Sequence, residues 1–228
     1  MDFVGKKTLE VMNKARNYNS WLFRLIKPYL GRNVLEIGSG IGNFTKMLAE
    51  VSDVYASDVD EYYLSYLKKN FKSVKSKYVN IETGVNRYGK IKFDSILCMN
   101  VLEHIKNDQE AISHMYGFLK HGGTLILIVP AFMFAYGKLD ESLGHYRRYT
   151  RCELEKKLKK LGFFVLESRY VNFIGIFGWW FNSKLVKSDI IPTSHLSFFD
   201  KIFAPFLFIE KFIKFPVGLS VFAVAQKK

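Results

Sequence analysis

One glycine-containing string near position 40 constrains the fold of this chain more than any other feature. Residues 34 to 45 read VLEIGSGIGNFT and place Glu36, Gly38, Gly40 and Gly42 in the pattern E-x-G-x-G-x-G, between an apolar strand and a helix. Glycines at such a turn let the backbone bend sharply and approach a ligand, because no Cβ stands in the way. The string therefore predicts a ligand-binding turn at the edge of a sheet.

Two carboxylates near this turn indicate what kind of ligand it would hold. Glu36 lies in the mouth of the turn, where it would repel a pyrophosphate but could accept hydrogen bonds from the ammonium of an amino-acid moiety. Asp58 follows Gly38 by 20 residues, at the end of the next apolar strand, where it can accept from both hydroxyls of a ribose. The pair favours a nucleoside that carries an amino acid over a dinucleotide.

The remaining chain alternates short apolar strands with amphipathic helices from Asn33 onward. Such alternation is typical of a parallel sheet that is covered on both faces. The predicted fold is α/β, a Rossmann-like doubly wound sheet of about seven strands, mostly parallel, with an antiparallel last strand beside the sixth. Thr150 with Glu153 three residues later predicts the start of a helix.

Charge is distributed unevenly along the chain. The net charge of +13 divides into +5 over residues 1–32 (7 basic, 2 acidic), −1 over 33–144 (12 and 13) and +9 over 145–228 (15 and 6). A neutral core with basic flanks favours an anionic substrate, a membrane surface or nucleic acid as partner, and a solvated lysine-rich surface is the alternative.

The cysteines and the longest uncharged stretch bear on location. Cys98 and Cys152 have no ligand spacing around them, so neither a disulfide framework nor a metal site is predicted. The N-terminus lacks the apolar region of a signal peptide. The uncharged residues 121–137 are too few to span a bilayer. The expected location is the cytoplasm.

With these residues in view, the chain resembles the class I S-adenosylmethionine-dependent methyltransferases over nearly its whole length. The string CMNVLEHI at the end of the fourth strand is similar to the VLEH string of small-molecule methyltransferases in this class. The resemblance implies S-adenosylmethionine as methyl donor and S-adenosylhomocysteine as product. It implies a donor site formed by Glu36, Gly38, Ser39, Gly40, Gly42, Asp58, Val59, Asn80, Ile81, Met99 and Asn100.

The resemblance also divides the chain into parts of one methyltransferase domain, residues 1–228. These parts are an N-terminal helical lid (1–32) with a break near residues 17–20, a cofactor-binding core (33–130), acceptor-side insertions (131–150 and 172–217) and the last strand (218–228). Residues 130–150 and 170–182 look like a bacterial and archaeal type 11/12 subgroup, which indicates the reaction better than the acceptor.

Motifs that the sequence lacks restrict the classes of methyl acceptor that we expect. The place where amino-methylating enzymes of nucleic acid carry N/D-P-P-Y/F reads MNVLEH here, and Cys98 lies inside an apolar strand, where it is a poor candidate for a nucleophile. RNA-binding motifs are missing too. Nucleic acid is therefore disfavoured as a partner, and an oxygen acceptor is favoured.

The segments that close over the donor in this class are rich in aromatic and basic residues. If the acceptor is a hydroxyl, His145 is the candidate general base; if it is a carboxylate, Arg147 and Arg148 would hold it and no base is needed. His145, Arg147 and Arg148 are thus the catalytic candidates, unless the arginines pair with acidic residues such as Asp140 and Glu141. The predicted substrate-binding residues are Tyr18, Trp21, Tyr136, His145, Tyr146, Arg147, Arg148, Tyr149 and Trp179.

Residues 197–216 predict a helix kinked at Pro205, with a wide apolar face flanked by Lys201, Lys211 and Lys214. Such a face would pack into the core, form a homodimer interface, or dock peripherally on an anionic inner membrane face to reach a lipid-linked acceptor.

The function predicted from the sequence is O-methylation of an anionic small-molecule, peptide or lipid-linked acceptor. The alternatives are a nicotinamide-dependent oxidoreductase with the same glycine turn and a non-catalytic module that binds a nucleoside or nucleic acid.

Overall fold

A computed structural model describes residues 3–176, 200–202 and 204–228 of the chain. Within them lies one eight-stranded sheet. Its strands are β1 (Asn33–Ile37), β2 (Asp53–Asp58), β3 (Lys75–Asn80), β4 (Val85–Asn86), β5 (Phe93–Met99), β6 (Leu119–Pro130), β7 (Phe163–Val171) and β8 (Ser220–Lys227). The α-helices are α1 (Phe3–Asn13), α2 (Arg16–Ile26), α3 (Thr45–Ala49), α4 (Glu61–Asn70), α5 (Asp108–Phe118), α6 (Lys138–Ser142) and α7 (Arg151–Lys160).

The strand order is β4-β3-β2-β1-β5-β6-β8-β7. Strands β1, β2, β3, β5 and β6 run parallel, whereas β8 is antiparallel to both of its neighbours. The predicted doubly wound sheet is confirmed. Its additional strand is the short edge strand β4, which pairs antiparallel with β3 and is too short to show a periodicity. Because the chain order reverses beside β1, the carboxyl ends of β1 and β5 border the crevice in which such sheets bind ligands.

Buried apolar side chains on both faces explain why the central strands are mostly apolar. Leu35 of β1 and Leu127 of β6 belong to the cluster on one face, and Val34 and Ile126 belong to the cluster on the other. All four side chains are fully buried. Neighbouring residues on a strand point to opposite faces, so a strand covered on both faces does not alternate apolar with exposed polar residues.

The break in the N-terminal helices lies at Lys14 and Ala15, not at residues 17–20 as predicted. Residues 17–20 belong to α2, whose first-turn amides at Asn17 and Tyr18 donate to the carboxylate of Asp200, at 3.3 and 2.9 Å. This cap explains the error, because the local sequence of Asn17 to Ser20 resembles a turn while the group that stabilises the helix start is distant in the chain.

Two further helices refine the prediction. Thr150 accepts from the Glu153 amide while the Glu153 carboxylate accepts from the Thr150 amide, which confirms the predicted start of α7. In the segment predicted as a kinked helix, a 3₁₀ helix spans Ala204–Lys211 and the chain is no longer helical from Ile213 on. Among the described residues, no helix is both long and apolar enough to cross a membrane.

Candidate active site

The glycine turn after β1 requires the backbone freedom that its sequence predicts. Gly38, Gly40 and Gly42 have φ angles of +68°, +52° and +82°, which residues other than glycine rarely adopt. A Cβ on Gly38 would lie 2.4 Å from Cγ2 of Val101, in the segment that follows β5. The turn is therefore packed directly against the second motif of the sequence, VLEH.

Asp58, at the end of β2, fastens this turn to the neighbouring strand. Its Oδ2 accepts from the amide of Gly40 at 2.9 Å, and its Oδ1 accepts from the amide of Asp60 at 3.0 Å. The side chain is buried, which raises the pKa of the carboxyl, while these backbone donors oppose the rise. A carboxylate in this position can accept from a ribose at the mouth of the crevice, as the sequence predicts.

Glu36 lies deeper than the sequence suggests. Its Oε2 accepts from the hydroxyl of Thr45 at 2.6 Å, which ties β1 to the first residue of α3. The residue is 5% exposed, and burial raises the pKa of its carboxyl to about 7. Glu36 thus holds the turn from behind, and its predicted contact with an ammonium stays a prediction.

Three further residues of the predicted donor site, Val59, Asn80 and Ile81, lie where β2 and β3 end. Val59 is 56% exposed, whereas Ile81 is buried in the core. The Oδ1 of Asn80 accepts from the amides of Glu82 and Thr83, at 2.9 and 3.3 Å, and so shapes the turn after β3. Exposure makes Val59 available to a ligand, while Ile81 would need a rearrangement to contact one.

The end of β5 completes the donor side. Asn100 is exposed and has a φ of +51°, an unusual conformation that asparagine tolerates better than most residues. Its amide donates to the carbonyl of Ile128 on β6 at 2.8 Å. Met99, Asn100 and the glycine turn therefore border one crevice. Helix α1 covers the turn: Leu9 packs against Gly40, and the amide group of Asn43 donates to the Leu9 carbonyl at 3.1 Å.

The loop that contains GHYRRY docks on the VLEH segment. The amide of Tyr146 donates to the carbonyl of Glu103 at 2.8 Å, and the hydroxyl of Tyr149 donates to Asp108 at 2.9 Å. The Arg147 guanidinium also pairs with Asp108, at 3.1 Å. Two strings that lie about 40 residues apart, each distinctive in the sequence, are thereby joined.

A cluster of titratable side chains results from this docking. The Nδ1 of His145 lies 2.8 Å from Oδ1 of Asp140, and the His145 and His104 rings meet edge to face with centroids 4.6 Å apart. Glu103 is 1% exposed, and burial raises the pKa of its carboxyl to about 8. Partial burial and the neighbouring His145 lower the pKa of His104. Glu103, His104, His145 and Asp140 together are called the edge cluster below.

The two arginines pair with acidic residues, the alternative that the sequence left open. Arg148 is buried, and its guanidinium donates to both oxygens of Asp140, at 2.9 and 3.0 Å. This arrangement makes Arg148 a positioning residue for the loop and corrects its prediction as a binder of substrate charge. Arg147 keeps a partly exposed side chain (28%), so its predicted contact with an acceptor stays a prediction.

Several predicted substrate contacts lie in the core instead. Tyr18 and Trp21 belong to the apolar cluster between α2 and the sheet, and Tyr149 is 2% exposed. Their size and aromatic character are equally expected of core residues, and the sequence alone does not separate the two uses. Tyr136 is half-buried with its hydroxyl donating to the His145 carbonyl at 2.8 Å, and Tyr146 is exposed. Trp179 lies outside the described residues.

Sequence reasoning missed Glu103 and the association of His104 with His145, and it named Asp140 only as a possible partner of the arginines. The only signals were the glutamate and histidine of VLEH and an aspartate five residues before His145. Neither is diagnostic until the loop is placed on the turn.

A glycine turn after β1, an acidic residue at the end of β2 and this strand order support a class I S-adenosylmethionine-dependent methyltransferase. Its methyl donor is S-adenosylmethionine. Residues 35–127, which include the glycine turn and Asp58, match the family model of a methyltransferase domain.

The relatives that the chain resembles in sequence are also methyltransferases. An uncharacterised methyltransferase of Mycobacterium tuberculosis is 24% identical over 148 residues, which are 64% of this chain and 73% of that protein. A mitochondrial ubiquinone biosynthesis O-methyltransferase of Dictyostelium discoideum is 25% identical over 44% of this chain and 36% of its own length. A phosphoethanolamine N-methyltransferase of Caenorhabditis elegans is 24% identical over 62% and 33%.

Solved structures share the fold. The crystal structure of a methyltransferase from Archaeoglobus fulgidus superposes with a TM-score of 0.62 at 14% identity, covering 94% of this chain and 95% of that one. Phosphoethanolamine N-methyltransferase 2 of Haemonchus contortus, in complex with S-adenosylmethionine, superposes with a TM-score of 0.60 at 18% identity, covering 92% and 52%. These superpositions show the fold, and the match of residues 35–127 to the methyltransferase family model favours the methyltransferase over the nicotinamide-dependent oxidoreductase.

Proposed function

We propose that this methyltransferase acts on oxygen, and that its acceptor is an anionic small molecule, peptide or lipid-linked compound. The observation that carries the proposal is the edge cluster. It joins the segment after β5, which packs against the glycine turn, to the loop that covers the carboxyl edge of the sheet. An acceptor that approaches the methyl group from the loop side would meet these titratable groups.

The protein contributes little covalent chemistry to this reaction. The methyl carbon passes from the sulfonium sulfur to an acceptor oxygen, which supplies the electron pair of the new bond, and the sulfur retains the pair of the broken bond as a neutral thioether. Alignment of the two reactants can supply ~7 to 11 kcal/mol of the barrier reduction. A hydroxyl acceptor must also lose its proton, and this step requires a group such as the edge cluster.

The pairing of Arg148 favours a hydroxyl over a carboxylate as the reacting group. A carboxylate acceptor would need a cation to hold it. Of the two candidate arginines, Arg148 is already paired, because its guanidinium donates to both oxygens of Asp140. By contrast, the Asp140 contact with Nδ1 of His145 orients that ring so that its Nε2 can face a reacting proton. The structure therefore supports the hydroxyl route more strongly.

An anionic character of the acceptor is supported by charge. Residues 145–228 carry a net charge of +9, and Arg147 stands partly exposed beside the edge cluster. A basic surface raises the local concentration of anions. The acceptor would then bind through a charged group and react through a hydroxyl.

A membrane-bound acceptor is one way to meet this description. Around the 3₁₀ helix Ala204–Lys211, the side chains of Ile202, Phe206, Phe208, Phe212 and Ile213 are about half or more exposed, and the side chains of Lys201 and Lys214 are exposed beside them. Apolar side chains flanked by cations suit the interface of an anionic bilayer. Packing of a second copy of the chain is the competing use of this surface.

The experiment compares three matched aromatic acids that differ only in carrying a hydroxyl, a second carboxylate or an amine, with S-adenosylmethionine labelled in the methyl group. We expect label in an ether, which resists mild base, whereas a methyl ester would release methanol. In the His145→Ala variant the ether-forming kcat should fall by ~10² to 10⁴-fold. The exposed-histidine variant His121→Ala serves as control and should match the wild type. Labelling of the amine alone would overturn the proposal.

A further inference from the structure

We propose that Glu103, His104 and His145 form a binding site for one divalent metal ion at the acceptor side of the crevice. Among the described residues, these three offer ligand atoms that lie within 4.8 Å of one another. Two imidazoles and one carboxylate suit zinc, manganese or ferrous ions, because imidazole binds the later metals and carboxylate binds the harder ones. The ion would keep open positions for other oxygen ligands.

The separation of the ligand atoms is close to what an ion requires. Bonds of roughly 2.0 to 2.2 Å place neighbouring ligand atoms about 3 to 4 Å apart. Side-chain shifts of about 1 Å would therefore bring the three atoms onto one ion. His104 is exposed, so an ion can enter from solvent, whereas Glu103 lies beneath it, fully buried.

The groups behind the histidines are those that orient metal ligands. The Nδ1 of His145 donates to Asp140 at 2.8 Å, which leaves Nε2 as the free ligand atom. A ring nitrogen of His104 bonds to the backbone carbonyl of Leu143. A ligating histidine usually donates its second nitrogen to a carboxylate or a carbonyl, and both arrangements occur here.

The carboxylate of Glu103 supplies the second, independent observation. Apart from its own backbone amide, neither of its oxygens has a hydrogen-bond partner among the described residues, although both are buried. Leaving a buried carboxyl without partners is unfavourable, and native structures rarely do so without a reason. A bound cation would satisfy both oxygens.

The charges around Glu103 are compatible with a bound divalent cation. Arg148 is neutralised by Asp140, so Glu103 is the carboxylate of the edge cluster that lacks a direct cationic partner. An ion of charge +2 on Glu103 leaves one net positive charge, which attracts an anionic oxygen. Resting here on the proposed function, we infer that the ion binds the acceptor hydroxyl and eases loss of its proton. With the ion bound, Nε2 of His145 is a ligand, and the ion takes over the role that this nitrogen has in the metal-free site.

Binding of the metal is measured first, without any acceptor. The full chain is freed of metal with a chelator and titrated calorimetrically with Zn²⁺ and Mn²⁺, and with Co²⁺ as an optical probe of coordination. We expect one ion per chain for at least one of these probes. Glu103→Gln and His145→Ala should weaken binding at least tenfold, and His121→Ala should leave it unchanged. Glutamine retains the shape of a neutral Glu103, so this variant should keep the fold.

The outcomes separate this proposal from the proposed function. Stoichiometric binding that both variants weaken supports the metal site, whereas no binding of any probe, or binding equal in all variants, overturns it. S-adenosylmethionine affinity is measured on the same samples and should not change. If the chain binds no ion and still methylates a hydroxyl, only the metal site fails; if it binds the ion but labels the amine alone, only the oxygen acceptor fails.

Discussion

Asp58 is the side chain that connects the glycine turn to the start of α4 within the predicted donor site. It accepts from the amide of Gly40 in the glycine turn and from the amide of Asp60 at the start of α4. Because it is buried among backbone donors, it is fixed in place before any ligand arrives. A preorganised acceptor loses little entropy on binding a ribose.

Replacing Asp58 should therefore weaken both donor and product. In Asp58→Ala we expect loss of charge-assisted hydrogen bonds worth about 1.5 to 3 kcal/mol each, and an affinity at least tenfold lower for S-adenosylmethionine and S-adenosylhomocysteine by calorimetry. Asp53→Ala, at the exposed start of the same strand, is the matched control and should bind both normally. Unchanged affinity in Asp58→Ala would remove the residue from the site.

Glu36 links the donor site to stability through its pKa. Burial raises the pKa of this carboxyl in the folded state to about 7, from 4.5 for a glutamate exposed to water. The folded state then holds the proton more tightly than the unfolded state, so this residue lowers stability as pH rises from 4.5 to about 7.

Glu36→Gln should remove that dependence. Between pH 5 and pH 8 the wild type should lose up to ~3 kcal/mol more of its free energy of unfolding than the variant does, as measured by urea denaturation. The hydrogen bond from Thr45 is stronger to the ionised carboxylate, and its effect is already contained in the pKa of about 7. Equal pH dependence in the two proteins would show that the Glu36 carboxyl titrates normally.

At the scale of elements, the decisive contact is that of the glycine turn with the segment after β5. Gly38→Ala meets two obstacles, a φ of +68° and Cγ2 of Val101 at 2.4 Å from the new Cβ. We expect loss of donor binding and a destabilisation larger than the 1 to 2 kcal/mol of backbone strain alone. Adding Val101→Ala should restore part of the stability.

Gly122→Ala is the control for this pair. Gly122 also has a positive φ, +75°, but nothing lies within 4 Å of the position of its Cβ. It should show backbone strain alone, with normal donor affinity. A Gly38→Ala protein no less stable than Gly122→Ala, and with normal donor affinity, would refute the close packing of turn and segment.

The 3₁₀ helix Ala204–Lys211 and the residues around it give a prediction on partners. Phe208→Ser with Phe212→Ser should reduce sedimentation with vesicles that contain anionic lipid, since these side chains are 56% and 75% exposed. Val85→Ser, another exposed apolar side chain, is the control. Equal recovery in the supernatant with and without vesicles would reject the membrane, and a halved molecular mass in the double variant would assign the surface to a dimer.

For the whole molecule, the sequence predicted what depends on local pattern. The doubly wound sheet, the capping box of α7 and the glycine turn follow from periodicity and from residue types at fixed spacing. It did not predict the start of α2, which depends on Asp200, and it left the pairing of Arg148 with Asp140 as one alternative without showing that the pair is buried. Those features arise from contacts between distant segments, and a loop without periodicity does not reveal its partner.

We infer that S-adenosylmethionine and the methyl acceptor meet where the glycine turn, the end of β5 and the edge cluster converge. A crystal structure of the chain with S-adenosylhomocysteine tests it most directly. We expect the ribose on Asp58, the sulfur beside Asn100, and Glu103, His104 and His145 on the side of the crevice that the sulfur faces. A ligand bound away from the carboxyl ends of β1 and β2, or a sulfur that faces away from the edge cluster, would contradict it.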